Sequence, residues 1–164
     1  MKQITQKRLK EVLHYDKATG LFLWKQKRGR QGAGSIAGSA TGSGGYVRLM
    51  VDGQLYLAHR LVFLYVEGSM PKKDVDHRNG LRTDNRYANL RQVTRSTNNQ
   101  NQRKPHPRSA TGFLGVRLDK RYGRYYASIY YDGRKHGLGG YTTPEEAHAA
   151  YVAAKRKHHL GCTI

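Results

Sequence analysis

Asp76 and His77 stand side by side in the run Asp74-Val75-Asp76-His77-Arg78-Asn79-Gly80, and Asn89-Leu90-Arg91 and Asn98 follow downstream. Asp76 and Asn98 both offer hard oxygen ligands. Two such ligands suit Mg2+, which keeps several waters and takes further oxygens from phosphate. A histidine beside a metal ligand can act as general base on a water, while a bound dication stabilises charge on a scissile phosphate and on its leaving oxygen. These residue types together supply what phosphodiester hydrolysis needs. An Asp-His dipeptide by itself carries little specificity, because a lone histidine is more often a packing residue. The combination with a turn, Asn89-Leu90-Arg91 and an asparagine-rich stretch gives it weight. Asn99 and Asn101 are alternatives to Asn98 as the second ligand.

Positioning these groups requires local structure. Val75 and Leu90 to Val93 read as two short strands, and Arg95 to Arg103 as a helix capped by Thr94 or Ser96. Two strands followed by a helix would gather Asp76, His77 and Asn98. Upstream, Thr5 caps a helix whose apolar stripe is Leu9, Val12 and Leu13, with Ile4 as a staple. Leu21 to Trp24 reads as a strand, and Lys25 to Gly45 as an aperiodic Gly-, Ser- and Arg-rich loop. Tyr46 to Val51 and Gln54 to Ala58 flank Asp52-Gly53 and predict a tight hairpin. An apolar helical segment, Arg60 to Val66, ends at Gly68 and Pro71.

Pro105 and Pro107 lie among basic residues in the best linker of the chain. Beyond it, Gly115 to Leu118, Arg124 to Tyr131 and Arg134 to Gly139 read as strands, the last two joined by Asp132-Gly133. Alternation puts Tyr125, Ala127, Ile129 and Tyr131 on one face and Arg124, Tyr126, Ser128 and Tyr130 on the other. Thr143, Pro144 and Glu146 open a final helix with a capping box. Its predicted buried stripe is Ala147, Ala150, Tyr151 and Ala154, and Lys155, Arg156 and Lys157 sit where the helix dipole favours cations.

Charge names the partner class. The 164 residues carry 30 Lys and Arg against 11 Asp and Glu, a net charge of +19. It is spread along the chain, with +7 in residues 1–58, +6 in 59–104 and +6 in 105–164. Such an excess favours a polyanion through Coulomb attraction and counterion release. One cysteine, Cys162, excludes an internal disulfide framework and a Cys-rich zinc site. The longest apolar stretch, Leu61 to Val66, is too short to span a bilayer. The expectation is a soluble, cytoplasmic protein without a membrane partner. For a phage-encoded protein the compartment would be the host cell's cytoplasm. RNA is the weaker polyanion candidate, since no aromatic RNA-stacking motif is present.

Residues 46–104 resemble the HNH endonucleases of the homing and phage type, whose core is a ββα-metal finger. The resembling residues are Ala58-His59-Arg60-Leu61-Val62, Val75 to Gly80, Asp84-Asn85-Arg86, Asn89-Leu90-Arg91, Asn98 and Asn101. The resemblance implies His77 as general base and Asp76 and Asn98 as metal ligands. It implies Asn89 as the residue that holds the finger loop and orients the base. Asn85 reads as a turn residue, and His59 as a packing or phosphate-contacting one. Residues 111–161 resemble the AP2/ERF DNA-binding domain through Gly115-Val116-Arg117, Gly123-Arg124-Tyr125, Leu138-Gly139, Thr143 to Ala147 and Ala150-Tyr151. That resemblance implies a sheet in the major groove, with Arg117 on a base-contacting position and Lys135 on a phosphate or base contact. Arg124, Tyr126 and Tyr130 complete the expected DNA-binding set. Ser128, Tyr130 and Gly137 depart from the plant transcription factors, so the plant sequence preference does not carry over.

The expected fold is α+β: a ββα-metal HNH core with an N-terminal helix and β-hairpin, followed by a small three-stranded antiparallel sheet packed on one helix. The expected domains are 1–104, with the finger at about 74–103, a linker at 105–110, and 111–164. The arrangement resembles free-standing endonucleases of phages and mobile elements. The expected function is metal-dependent cleavage of double-stranded DNA, with Mg2+ as the cation and Mn2+ as its alternative. The resemblance implies 5′-phosphate and 3′-hydroxyl ends. One site per chain makes a monomer a nicking enzyme by default, with a dimer as the alternative. The competing expectation is a non-catalytic DNA-binding regulator that keeps the HNH fold for its shape.

Overall fold

The computed structural model describes residues 3–40, 44–159 and 162. It divides into two compact units, one ending at Arg95 and the other beginning at Ser96.

The first unit opens with α1 (Gln6–Val12), where the Thr5 hydroxyl accepts from the Arg8 N–H at 3.2 Å. The helix stops one residue earlier than its apolar stripe suggests. Leu13 belongs instead to β1 (Leu13–Tyr15), which pairs antiparallel with β2 (Phe22–Trp24). Both strands bury their alternate residues, and that burial draws Leu13 out of the helix. The stretch expected to be an aperiodic loop is partly tied down. It carries β3 (Ser39–Ala40) and an isolated bridge from Ile36 to Leu23. Residues 41–43 of that stretch lie outside the described residues.

β3, β4 (Val47–Val51) and β5 (Gln54–Leu57) form a three-stranded antiparallel sheet in that order. The β4–β5 turn places Asp52 at φ 49 and Gly53 at φ 77. Two successive left-handed residues match the right-handed twist of the flanking strands, which is why Asp-Gly serves here. α2 (Ala58–Glu67) buries Ala58, His59, Leu61, Val62, Phe63 and Leu64, so it is the central element of the core. It ends at Gly68, whose left-handed backbone lets its N–H close on the Leu64 carbonyl. β6 (Asp74–His77) then pairs antiparallel with β7 (Leu90–Val93), and a 3-10 turn at Tyr87–Asn89 leads into β7.

The second unit receives α3 (Arg95–Gln100), shorter than the predicted helix. β8 (Val116–Asp119), β9 (Arg124–Tyr131) and β10 (Arg134–Tyr141) form an antiparallel sheet with β9 central. α4 (Pro144–His158) packs on it, and its capping box between Thr143 and Glu146 is complete. The buried positions of α4 are Ala147, Tyr151 and Lys155. Ala150 and Ala154 are only half-buried. Lys155, in the last turn of α4, is 1% exposed and donates its Nζ to the Gln102 carbonyl, so it also serves as an internal tie. Mixed helix with small antiparallel sheets is the class expected. No helix among the described residues is long and apolar enough to cross a membrane.

Candidate active site

β6 carries the two residues of greatest interest into the interior. Asp76 is 6% exposed and His77 3%. The β6–β7 register sets Asp76 opposite Arg91, and the Asp76 Oδ2 accepts from Arg91 Nε at 2.9 Å and Nη2 at 2.8 Å. A carboxylate buried this deeply needs a counter-charge, and Arg91 supplies it. The same register sets His77 opposite Leu90. Its imidazole meets the His59 ring edge-on at 5.3 Å and the Tyr46 ring at 6.0 Å. Arg82 lies over the outer side of this cluster, 4.8 Å from the Tyr46 ring centre. His59 is therefore a packing histidine, 5% exposed, and burial pushes it down to about 3.

Burial also lowers the His77 imidazole from its ordinary value, against an opposing hydrogen bond from Asn85 and the nearby carboxylates. His77 is thus neutral at neutral pH, the form in which it can take a proton. Which nitrogen takes it follows from Asn85. The Asn85 Nδ2 donates to the Thr83 carbonyl at 3.3 Å, which turns Oδ1 toward His77 Nε2 at 3.2 Å. An amide oxygen only accepts, so this contact favours the tautomer with its hydrogen on Nε2.

Asn85, read from the sequence as a turn residue, also reaches His77. It is 2% exposed and bonds the histidine directly, so it is more than a turn residue. Asn89 performs the other half of the role expected of it. Its Oδ1 accepts from the Asn79 N–H at 3.0 Å, and its Nδ2 donates to Asn79 Oδ1 at 3.0 Å and to the Asp84 carbonyl at 2.8 Å. Asn89 ties the loop together, and the hydrogen-bond contact to His77 comes from Asn85. Asp84 receives Arg86 through Nε at 2.8 Å and Nη2 at 2.6 Å, which holds its carboxyl down near 2.

Within the first unit, Asp76, His77, Asn85 and Asn89 are thus brought together. The other predicted ligand, Asn98, sits on α3 and is half-buried. Of its alternatives, Asn99 is exposed and Asn101 buried. Asp76 fits a cation ligand by its chemistry, a buried hard-oxygen donor beside His77. No group of three or more His, Cys, Asp or Glu that could hold a metal occurs among the described residues.

The second unit presents a different surface. The sheet register aligns Arg117 with Tyr126, Tyr130 with Lys135, and Asp119 with Arg124. All five predicted DNA-binding residues, Arg117, Arg124, Tyr126, Tyr130 and Lys135, therefore share one face of the sheet. The opposite face buries Ala127 and Ile129. Arg117 lies 5.8 Å from the Tyr126 ring centre, and Tyr130 is 63% exposed.

Residues 56–100 match the family model described as HNH endonuclease. This segment spans β5 through α3 and contains His59, Asp76, His77, Asn85, Asn89 and Asn98. No curated protein matches the chain. A solved structure described as DNA binding and cleavage by the HNH homing endonuclease I-HmuI is similar at 22% identity and a TM-score of 0.43. The likeness covers 91% of this chain and 88% of that one.

Proposed function

We propose that the protein is a metal-dependent DNA endonuclease that hydrolyses phosphodiester bonds with His77 as general base. The observation that carries this reading is the buried His77, its imidazole lowered by burial and its Nε2 3.2 Å from the Asn85 Oδ1. An imidazole so held presents Nδ1 to a water and accepts its proton as the water attacks phosphorus. Asn89 keeps the loop between β6 and β7 closed, so that the base and its orienting amide keep their spacing. Asp76 would hold a divalent cation, Mg2+ or Mn2+, which when bound supplies charge neutralisation at the phosphate and leaving oxygen, and the sequence resemblance implies Asn98 as a second ligand. Arg91 balances Asp76 in its absence.

The cationic chain brings the substrate. Residues 1–95 hold 18 basic against 7 acidic residues, and residues 96–164 hold 12 against 4. Both units thus favour a polyanion. The three-stranded sheet packed on one helix supports an AP2/ERF-like reading of the second unit. Its outer face would contact base edges in the major groove through Arg117, with Arg124, Tyr126, Tyr130 and Lys135 alongside. One His77 per chain makes a monomer a nicking enzyme.

The test is incubation of supercoiled plasmid with the full chain in Mg2+, in Mn2+ and in EDTA. Relaxed or linear product is expected with either cation, none in EDTA, and loss of product at low metal for Asp76→Ala. Cleavage that persists in EDTA overturns the metal-dependent reading. Tight DNA binding without cleavage under all conditions identifies a non-catalytic regulator instead.

A further inference from the structure

The hydrogen bond that fixes the His77 tautomer depends on where the Asn85 backbone sits, and that backbone is held from β1. Tyr15 is buried, and its hydroxyl makes two bonds to one turn. It donates to the Asn85 carbonyl at 2.8 Å and accepts from the Tyr87 N–H at 2.9 Å. The two bonds close on either side of Arg86, so one oxygen fixes the backbone on both flanks. The ring below is wedged between Phe22 at 5.0 Å and Tyr65 at 5.7 Å, centre to centre, which leaves the hydroxyl little play. Burial pushes the phenol up to about 12, so it stays a donor across the working range.

A second contact bears on the same turn. Gly20, in the connection between β1 and β2, has φ +76 and packs directly on the Asn85–Arg86 peptide. A Cβ there would lie 2.4 Å from the Arg86 nitrogen and 2.6 Å from the Asn85 carbonyl carbon. Only a hydrogen fits between these backbones, and φ is in the region that favours glycine. The β1–β2 hairpin thus grips this turn twice, with a hydroxyl and with a bare backbone. Neither Tyr15 nor Gly20 lies within the segment matched by the family model.

We propose that Tyr15, braced by Gly20, is a positioning residue for the general base, acting on His77 through Asn85. This rests on His77 as the base, and it extends the active-site assembly to the N-terminal hairpin. The chain of contact runs from the Tyr15 hydroxyl to the Asn85 backbone, from the Asn85 Oδ1 to His77 Nε2, and so to the lone pair on Nδ1. Loss of the hydroxyl frees the turn and lets the amide drift, and the imidazole then samples both tautomers.

Tyr15→Phe removes the hydroxyl and keeps the ring. Its kcat for DNA cleavage is expected to fall about tenfold, with DNA affinity and metal dependence unchanged. In an Asn85→Ala background the same substitution should change kcat by less than about twofold, because the intermediary is gone. Imidazole 15N shifts of the full chain read the tautomer without any cleavage. His77 should be the Nε2–H form in the wild type and a mixture in Tyr15→Phe. Gly20→Ala should move the same resonance. A wild-type kcat in Tyr15→Phe, an equal loss in both backgrounds, or an unmoved His77 resonance in both single variants overturns the proposal. Failure of the nuclease reading looks different: the wild type does not cut DNA, while the 15N shifts still report whether Tyr15 sets the tautomer.

Discussion

The first unit buries a cluster of polar side chains, and the second presents a row of them on one sheet face. In residues 3–95 the buried polar groups are His59, Asp76, His77, Asn85 and Asn89, and four of these five cluster around the end of β6 or the loop that follows it. In the second unit only Asn101 and Lys155 are buried polar residues among those described, while Arg117, Arg124, Tyr130 and Lys135 stand exposed on one sheet face. Burying a polar group costs free energy unless it is hydrogen-bonded, and burying a charge costs more. A cluster of such burials persists where the groups must hold a fixed geometry and a fixed protonation state. Exposed cations and tyrosines remain solvated and adjustable, which suits a surface that meets a long anionic ligand. On the proposed reading, the buried cluster around His77 serves the chemistry and the exposed sheet face serves recognition.

The largest test of that division is His77→Ala. A loss of about 10²–10⁴ in single-turnover cleavage is expected, with Kd for DNA nearly unchanged. Alanine at Arg117, Arg124 and Lys135 together should do the reverse, weakening Kd while leaving the rate at saturating DNA. Single-turnover kinetics beside anisotropy titrations separates the two. A mixed effect from either set of changes would break the comparison.

The two units also differ in how much of them is written locally. The Asp-Gly turns at Asp52 and Asp132, with φ 49 and 50, follow from residue type alone, and so do the alternation of β9 and the capping box at Thr143. These are short-range effects, in which the residues that decide the structure are neighbours in sequence. Asp76, His77 and Asn89 were legible as chemistry because their types and order are informative. Asn85 was not. Its local sequence, Asp84-Asn85-Arg86, describes a turn correctly, and its bond to His77 spans eight residues and exists only once the loop is closed. β1 was hidden for a similar reason, since Leu13 continues a helical stripe and only pairing with Trp24 overrides it. Lys155 occupies the last turn of α4, where a lysine ordinarily complements the dipole. The Gln102 carbonyl that captures it lies 53 residues away.

Acid provides a smaller test, confined to the first unit. His59 has a folded value of about 3 against an ordinary 6.5, because burial disfavours its charged form. Above pH 6.5 both folded and unfolded chains hold it neutral, and its contribution to stability is fully present. Below 6.5 the unfolded chain binds the proton and the folded chain does not, so stability falls as pH falls toward 3. The slope is on the order of 1 kcal/mol per pH unit. Urea unfolding of the full chain at pH 7 and pH 5 should show this loss, and His59→Leu should reduce it. A stability that is flat over this range would mean that the cluster of His59, His77 and Tyr46 admits water.

The smallest effect is expected from Arg117→Ala, and it asks what the exposed face of the second unit does. Arg117 is solvent-exposed, lies across from Tyr126 in the sheet and is held within cation–π reach of its ring. An arginine so oriented can form a bidentate contact to a guanine edge, or it can neutralise a phosphate. The two uses leave different signatures. Loss of a base contact should cost about 1–3 kcal/mol and relax selection at one position of the site, leaving the salt dependence nearly intact. Loss of a phosphate contact should weaken all sequences alike and flatten the slope of log K against log salt by about 0.9. Cleavage-site profiles on mixed DNA, with binding measured at several salt concentrations, distinguish them. Relaxation at one position is the expected result, because the residue stands on the sheet face that gathers Arg124, Tyr126, Tyr130 and Lys135 and not at the sheet's edge turns. A uniform loss with a shallower slope would make the second unit an electrostatic anchor and would assign sequence selection to the first.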